Sequence, residues 1–294
     1  MELVPFDKRA GKIWLNSEMI NWSDAKIHIL SHGLHYASCV FEGERVYDGE
    51  IFKLREHTKR LFFSAETLGF KIPFSIDEID KASKEIISVQ KVKNGYVRPI
   101  AWRGSEMMAI SAQQTKIHVA IAAWDWGTYF SNDIRLKGIK LNISKWRRPH
   151  PSTAPCKTKA AGLYTICTLS KHEAESKGFH DSLMLDHAGN IAEATGANIF
   201  FVKGKELHTP TPDCFLDGIT RRTIIDIAKT KGLKILERTI KVNELKNFEG
   251  CFLTGTAAEV TPVGQIENHQ FKVVDIIKDL SESYLSLVKK KKAA

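Results

Sequence analysis

The stretch Lys157–Tyr164 reads Lys-Thr-Lys-Ala-Ala-Gly-Leu-Tyr and lies just ahead of a segment with a helical pattern. Only small residues directly follow Lys159, so no bulky neighbour in the sequence shields its amine. A pocket that buries this amine would lower its pKa and make it a nucleophile toward an aldehyde. The plainer interpretation is a solvated surface lysine.

A carboxylate follows downstream, in Glu193-Ala-Thr-Gly-Ala-Asn-Ile-Phe200. Its neighbours are small and mostly apolar, so strand alternation leaves two interpretations for Glu193. It faces solvent, or it pairs with a protonated ring nitrogen. The second arrangement keeps a heteroaromatic ring cationic, so that the ring accepts electrons from a substrate carbanion.

Two Gly/Thr turns are suited to holding a phosphate. Asp217-Gly-Ile-Thr-Arg221 leads into a predicted helix, and Thr254-Gly-Thr-Ala-Ala258 follows a strand and is predicted to open another helix. Backbone N–H groups at a helix start favour an anion, although each turn equally suits an ordinary helix cap. Arg60, on an earlier predicted helix, adds a fixed cation or is a plain exposed arginine. An amine, a carboxylate and phosphate turns together indicate pyridoxal 5'-phosphate (PLP).

The chain resembles a known family through longer motifs. Three segments are similar to the signature of the class IV PLP-dependent aminotransferases: Glu193-x-Thr195-x-x-Asn198-Ile199-Phe200, Leu207-x-Thr209 and Leu216-x-Gly218-Ile219-x-Arg221. Others resemble the bacterial branched-chain amino acid aminotransferases over nearly the whole chain: Ser31–Tyr36, Phe41-Glu42-Gly43-x-Arg45, Glu56-His57-x-x-Arg60-Leu61, Tyr96–Pro99, Trp126-Gly127-x-Tyr129 and Gly255–Val263.

The resemblance implies roles for site residues. Lys159 would be the catalytic lysine that binds PLP, Glu193 the partner of the ring nitrogen and Tyr164 the partner of the phenolic oxygen. The phosphate would be held by Arg60, Gly218, Ile219, Thr220, Gly255 and Thr256. Substrate would be bound by Tyr36, Phe41, Trp126 and Tyr129 around its apolar side chain, and by Arg45, Tyr96, Arg98, Thr256 and Ala257 around its carboxylates.

The same resemblance implies a mixed α+β and α/β fold, the fold-type IV PLP enzyme. We expect a small N-terminal α/β domain over 1–123, an interdomain loop over 124–135, and a larger C-terminal domain over 136–294. That larger domain would be built on a barrel-like sheet and carry the lysine. Family members are at least homodimers, with hexamers as a higher form, and Tyr36 would reach the neighbouring subunit's site.

Local patterns predict several elements directly. Asn16-Ser17 and Asp48-Gly49 read as hairpin turns, and Ser75-Ile-Asp-Glu78 as a capping box that opens a helix. Two further strands are predicted over 192–201 and 234–242. The basic, aromatic run Trp146–His150 is interpreted as a loop near the mouth of the site, with nucleic-acid binding as the weaker alternative.

The implied activity is PLP-dependent transamination of leucine, isoleucine and valine with 2-oxoglutarate, giving 2-oxo acids and glutamate. Two features depart from the expected pattern: Glu44, which could face away or pair with Arg45, and the loop Arg103–Ala109. They keep other class IV enzymes open, namely a D-amino acid or (R)-amine aminotransferase, or an aminodeoxychorismate lyase. A non-catalytic basic binding protein is the remote alternative.

Composition narrows the class of protein. The 294 residues carry a net charge of +9, part of it in Lys289–Lys292, which favours small anionic ligands over nucleic acid. Five scattered cysteines and an N-terminus without an apolar run indicate a cytoplasmic protein, with no membrane partner. His28, His32 and His35 have metal-like spacing but no completing carboxylate or thiol, so no metal is expected.

Overall fold

The computed structural model describes residues 4–127 and 137–289. Contacts divide the chain into two units, Met1–Gly127 with Thr158–Gly162, and Thr128–Lys157 with Leu163–Ala294. By contact, therefore, the segment around Lys159 groups with the first unit, whereas the sequence assigned it to the C-terminal domain. The predicted substrate residue Tyr129 and most of the predicted loop 124–135 lie outside the described residues.

The first unit is an antiparallel sheet with helices. Its helices are α1 (His32–Tyr36), α2 (Leu54–Thr67) and α3 (Ile76–Val89). Its strands are β1 (Lys12–Leu15), β2 (Glu18–Asn21), β3 (Cys39–Phe41), β4 (Glu44–Tyr47), β5 (Glu50–Ile51), β6 (Gly95–Arg103) and β7 (Ile117–Asp125). The sheet runs β2-β1-β7-β6-β4-β5, with β3 also paired to β6.

Local signals in this unit are confirmed. Asp48 and Gly49 have φ of +49° and +81°, the left-handed pair that a type I′ turn requires, and they join β4 to β5. Ser75 accepts a hydrogen bond from the Glu78 N–H, and the Glu78 carboxylate accepts one from the Ser75 N–H, which completes the capping box at the start of α3. The helix α1 was not predicted from the sequence.

Strand alternation gives the sheet of the first unit two different faces. Val46, Val97 and Ile121 point into a core of buried residues that they share with Leu61 of α2 and Ile79 of α3. Alternate positions along β4 and β6 point to the opposite face of the sheet. Arg45 on β4 and Tyr96 and Arg98 on β6, which the sequence assigned to substrate, therefore face away from this core.

Among its described residues, 137–157 and 163–289, the second unit has nine strands and three longer helices. The strands are β8 (Ile139–Arg147), β9 (Asp181–Leu185), β10 (Ile191–Ala194), β11 (Asn198–Lys203), β12 (Glu206–Thr209), β13 (Lys234–Glu237), β14 (Gly250–Gly255), β15 (Glu259–Ile266) and β16 (His269–Gln270). The helices are α4 (Thr165–Ser176), α5 (Ile219–Thr230) and α6 (Asp275–Val288).

Six of these strands close into a barrel. The order β10-β9-β8-β15-β14-β11 returns to its start because β10 also pairs with β11, through Glu193 and Asn198. Side chains from every strand fill the interior, among them Ile139, Leu183, Phe201 and Val263. The barrel-like sheet that the resemblance implied is confirmed.

Three sequence expectations were wrong in this unit. The single strand over 192–201 is two strands, because the chain reverses between β10 and β11. The turn at Thr254–Ala258 opens strand β15 rather than a helix, since β14 and β15 form an antiparallel hairpin. The strand over 234–242 ends at Glu237, and Val242–Asn247 is a 3-10 helix.

Helix length bears on a membrane location. No helix within residues 4–127 and 137–289 is both long and apolar enough to cross a bilayer.

Candidate active site

Lys159 lies next to strand β3 in the first unit. Its carbonyl accepts from the Phe41 N–H at 3.2 Å, and its own N–H donates to Ser64 Oγ of α2 at 3.0 Å. The amine Nζ lies 4.8 Å from the centre of the Phe41 ring. Burial and the nearby Arg60 guanidinium lower the pKa of the Lys159 amine to about 8, although Glu42 opposes this. The amine is therefore far more available as a base near neutral pH than an ordinary lysine.

Arg60 is held by a buried carboxylate that the sequence reasoning did not assign. Its Nε and Nη2 donate to the two oxygens of Glu42 at 2.6 and 2.8 Å, and the ring of His57 lies 2.7 Å from Glu42 Oε2. Burial alone would raise the pKa of Glu42, but Arg60 and His57 hold it well below its usual range. The guanidinium thus has a fixed direction, and it is not the exposed helix arginine of the plainer interpretation.

Four predicted substrate residues share the face of the sheet that points away from the core. Arg45 is paired with Tyr96 across β4 and β6, and Arg98 follows two residues later on β6. The Arg98 guanidinium lies 4.7 Å from the ring centre of Phe41 and donates to Tyr96 Oη at 3.4 Å. A Cβ at Gly43 would lie 1.8 Å from Tyr96 Oη, so any larger residue here would force the Tyr96 side chain to move.

The aromatic residues assigned to the apolar pocket are placed differently from one another. Trp126 lies beside Tyr96, with ring centres 4.7 Å apart, and its carbonyl accepts from Arg45 at 3.3 Å. Tyr36 is on α1, stacks on His32 and is 42% exposed. Within the first unit, then, Trp126 joins the Arg45–Tyr96 group, whereas Tyr36 presents its ring to solvent.

Glu193 lies on β10 in the second unit and is buried, at 8% exposure. The register between β9 and β10 shifts between Ile191 and Glu193. This irregularity breaks the alternation: Ile191 and Ala194, three positions apart, both lie in the barrel core. The solvent-facing interpretation of Glu193 is therefore wrong.

Both oxygens of Glu193 have partners, and one partner was missed. Asn198 Nδ2 donates to Oε2 at 3.2 Å, and the buried Arg148 guanidinium lies 3.4 Å from Oε1. Burial opposes the charge of Arg148, but Glu193 and other neighbours raise its pKa. Arg148 belongs to the run Trp146–His150, which the sequence predicts as a loop near the mouth of the site, but Trp146 and Arg147 end strand β8. Nothing local in the sequence marks Arg148 as buried, because its partners lie far along the chain.

The turn predicted to bind phosphate does lead into a helix, α5, but one of its backbone N–H groups is already bonded. The Gly218 N–H donates to Asn198 Oδ1 at 3.1 Å, so it is already used within the protein. A side chain at Gly218 would meet that oxygen at 2.2 Å. Ile219 and Thr220 occupy the first turn of α5, where backbone N–H groups have no acceptor within the helix.

The remaining predicted cofactor residues lie around the barrel. Tyr164 precedes α4 and lines a cavity of about 380 Å³ in the second unit together with Ala257, Thr195 and Asp181. Gly255 ends β14 and Thr256 follows it in the turn to β15, and both are partly exposed. The hairpin can offer backbone N–H groups, but it has no helix dipole.

The two departures from the family pattern have separate environments. Arg103 is the last residue of β6, just before the loop, and it is buried and donates to the carbonyls of Ala112 and Gly69, both at 2.7 Å. The loop also contacts α1, because His32 Nε2 lies 2.9 Å from the Ala109 carbonyl oxygen. Arg103 therefore has a structural role in this unit.

Glu44 faces the core and does not pair with Arg45. Both residues are on β4, but Glu44 is paired with Val97 and lies on the side of the helices. It is fully buried, and neither carboxylate oxygen has a hydrogen-bond partner among the described residues. Burial, Glu42 and Asp80 raise the pKa of this carboxyl well above its ordinary value, opposed by Arg60.

Comparison with known proteins agrees with these features. Residues 39–266 match the family described as amino-transferase class IV. The chain belongs to that family. It is 42% identical, over 98% of its length and 100% of the relative's, to a probable branched-chain-amino-acid aminotransferase of Rickettsia conorii.

Solved structures of branched-chain amino acid aminotransferases also resemble the chain. The Escherichia coli branched-chain amino acid aminotransferase has a TM-score of 0.92 and 35% identity, covering 97% of each chain. The branched-chain amino acid aminotransferase of Thermobaculum terrenum, solved in its PLP form, has a TM-score of 0.86 and 28% identity, covering 95% of this chain and 94% of the other. The predicted fold class is confirmed.

Replacing Glu44 should stabilise the protein. Glu44→Met removes a buried carboxyl without a partner and keeps a similar volume, so we expect unfolding to cost about 1–3 kcal/mol more. Below the unfolded-state pKa the carboxyl is neutral in both states. As pH rises above that value only the unfolded chain ionises, so the wild type loses stability up to the raised folded-state pKa. The gain should therefore be larger at about pH 8 than at about pH 5.

Unfolding by guanidinium chloride at both pH values measures the difference in the free energy of unfolding between Glu44→Met and the wild type. Glu44→Gln is the matched control: it cannot ionise, so it should remove the pH-dependent part of the difference and keep the cost of an unpaired polar group. A Met variant less stable than the wild type at both pH values would contradict the prediction.

Proposed function

We propose that this protein is a PLP-dependent aminotransferase that transfers the amino group of branched-chain L-amino acids to 2-oxoglutarate. The observation that carries the proposal is the Lys159 amine, with its pKa lowered to about 8, beside Phe41 on the sheet that bears Arg45, Tyr96 and Arg98. The names of its relatives support the substrate class, since they are branched-chain amino acid aminotransferases.

The donors present in each unit fit PLP. Lys159 supplies an amine that is largely unprotonated above about pH 8, to hold the cofactor covalently. Glu193 supplies a carboxylate whose oxygens are fixed by Arg148 and Asn198, to accept from the ring nitrogen. Tyr164 would bind the phenolic oxygen. The phosphate would be held by Arg60, by the first turn of α5 at Ile219 and Thr220, and by the hairpin residues Gly255 and Thr256. We propose that Gly218 contributes close packing there rather than its N–H.

In the reaction, the protein's part is to position groups and to move protons. When bound, PLP supplies an electron-poor ring that accepts the electron pair left by the substrate's α-proton. Lys159 Nζ removes that proton and later returns it, and a pKa near the working pH suits both directions. Glu193, fixed by two partners, keeps a negative charge available for the ring nitrogen.

Substrate binding is proposed for the face of the sheet that points away from the core. Arg45, Tyr96 and Arg98 would bind carboxylates, together with Thr256 and Ala257. Phe41 and Trp126, with Tyr36 and Tyr129, would surround an aliphatic side chain. An apolar pocket separates side chains that differ by one methylene by only about 1–3 kcal/mol, so leucine, isoleucine and valine should all be accepted.

Removal of the amine tests the cofactor assignment. Lys159→Ala should abolish the visible absorbance of bound PLP and lower the rate of transamination at least about 100-fold, because the amine that binds the cofactor and carries the proton is lost. Lys157→Ala, at an exposed lysine two positions earlier, is the control and should keep both. In the wild type, capture of PLP by the cofactor-free protein should speed up with rising pH until about 8 and then level off. Retention of the band in Lys159→Ala would refute the role.

A substrate panel tests the substrate class. With 2-oxoglutarate as acceptor, kcat/KM for L-leucine, L-isoleucine and L-valine should fall within about 200-fold of one another. D-alanine and (R)-amines should be far poorer, because Arg45, Tyr96 and Arg98 are expected to select one arrangement of the carboxylate. Faster turnover of D-alanine than of L-leucine would favour the alternative class IV activity.

We also propose that the protein works as a homo-oligomer, at least a dimer. Large apolar side chains are exposed in two segments that contact each other through His32 and Ala109: Ile27, Ile29, Leu30, Leu34, Tyr36, Met108 and Ile110. Large exposed apolar patches often mark sites of protein–protein contact. All five cysteines are free thiols, which is typical of a reducing compartment, and we propose the cytoplasm as the location.

Charge placed on this patch should weaken self-association. Light scattering after gel filtration should give the wild type a mass of at least two chains, and Ile29→Lys or Ile110→Lys should shift it toward one. Phe63→Lys, at a half-exposed phenylalanine on α2 outside the patch, is the control. A monomeric wild type would contradict the proposal.

A further inference from the structure

Asn198 occupies the position where the barrel closes. It is the first residue of β11, it is paired with Glu193 on β10 and with Thr254 on β14, and it is 4% exposed. A buried asparagine must satisfy both ends of its amide to avoid a large desolvation cost. Its partners therefore show what the residue holds in place.

The amide of Asn198 joins two parts of the second unit. Its Nδ2 donates to Glu193 Oε2 at 3.2 Å and to the Leu216 carbonyl at 2.9 Å. Its Oδ1 accepts from the Gly218 N–H at 3.1 Å. Because Gly218 is the residue before the first turn of α5, one planar side chain sets the spacing between the Glu193 carboxylate and the start of that helix.

The fit around this amide is tight on the helix side. A Cβ at Gly218 would lie 2.2 Å from Asn198 Oδ1, so only glycine lets the backbone approach the amide so closely. On the strand side, Arg148 occupies the other oxygen of Glu193 at 3.4 Å. The carboxylate can therefore neither rotate nor shift without breaking one of the two contacts.

We propose that Asn198 is a positioning residue that couples the two ends of the cofactor site in this unit. This proposal rests on the proposed function, in which Glu193 accepts a hydrogen bond from the ring nitrogen and the first turn of α5 binds the phosphate. Asn198 contacts neither group itself. It holds Glu193 and α5 at the separation that one phosphorylated pyridine ring spans, so that both ends of the molecule bind at once.

Asparagine suits this role better than its close relatives. Aspartate has the same shape, but it loses the donor to Glu193 and to Leu216 and sets a second negative charge against Glu193. Leucine has a similar branched shape and removes all three hydrogen bonds. The two substitutions therefore disturb the same position in different ways.

The test measures binding by the full-length, cofactor-free protein. Asn198→Leu should weaken PLP binding about 10-fold or more, the loss expected when a hydrogen bond to a charged group is removed. The same substitution should weaken the binding of pyridoxal, which has no phosphate, and the binding of inorganic phosphate, which has no ring. Asn142→Leu is the matched control, since Asn142 is a buried barrel asparagine whose side chain accepts from Ser182 Oγ and has no contact with Glu193 or Gly218 among its described hydrogen bonds. It should lower thermal stability comparably and leave all three affinities unchanged.

A spectroscopic readout accompanies the affinities. In Asn198→Asp, which keeps the side-chain shape if the leucine variant does not fold, the visible band of bound PLP should titrate at a different pH from the wild type, because a second carboxylate disturbs the charge on Glu193. A purely structural role would leave that titration unchanged.

The outcomes separate two failures. A wild type that binds no PLP overturns the proposed function. A wild type that binds PLP, with an Asn198→Leu variant that binds it as tightly as Asn142→Leu does, overturns the role of Asn198. The role of Asn198 is also overturned if Asn198→Leu weakens the binding of pyridoxal but not that of inorganic phosphate, since the coupling to α5 would then be absent.

Discussion

One strand pairing, Glu193 with Asn198, closes the sheet of the second unit into a barrel. Without this pairing β10 and the first residues of β11 would be left unpaired on one side, although the end of β11 is paired with β12, and the apolar side chains inside would have one side facing solvent. The same two residues also provide a carboxylate and an amide on the outside of the barrel wall. The same pair of residues therefore closes the barrel and forms part of the candidate site, so a change that disturbs one also disturbs the other.

The first unit meets a different constraint, the cost of charge near its core. Glu42 is fully buried and is compensated by Arg60 through two hydrogen bonds and by His57 through a third. A buried carboxylate with this many partners fixes their directions as firmly as it is fixed by them. Burial and the Arg60 guanidinium lower the pKa of the nearby Lys159 amine, and the Glu42 carboxylate opposes them, so that this pKa falls only to about 8.

Sequence reasoning succeeded where the signal is local. The Asp48-Gly49 turn and the Ser75 cap depend on a few neighbouring residues. The resemblance to the class IV motif predicted the fold. Sequence reasoning failed where a contact joins distant residues. The burial of Arg148 depends on Glu193, and the environment of Glu193 depends on a register shift that no alternation pattern contains.

The prediction that the turn at Thr254–Ala258 opens a helix was wrong for a related reason. Glycine and threonine favour a helix start and a tight hairpin alike, and only the pairing of β14 with β15 decides between them. Likewise, the unusual Glu44 stands out in the sequence, but which side of β4 it faces follows from its pairing with Val97. The site residues were named from motifs, whereas the groups that hold them, Glu42, His57, Ser64 and Arg148, came from the structure.

The cysteines have a practical consequence. All five are buried, and burial raises the pKa of each thiol, to about 12 for Cys39 and Cys214 and about 11 for Cys167. Since thiolates are the species that alkylating reagents attack, the folded chain should be nearly inert to them at neutral pH. With Cys39 in one unit and the other four in the second, the rate of labelling at each cysteine would report how often that part of the molecule opens.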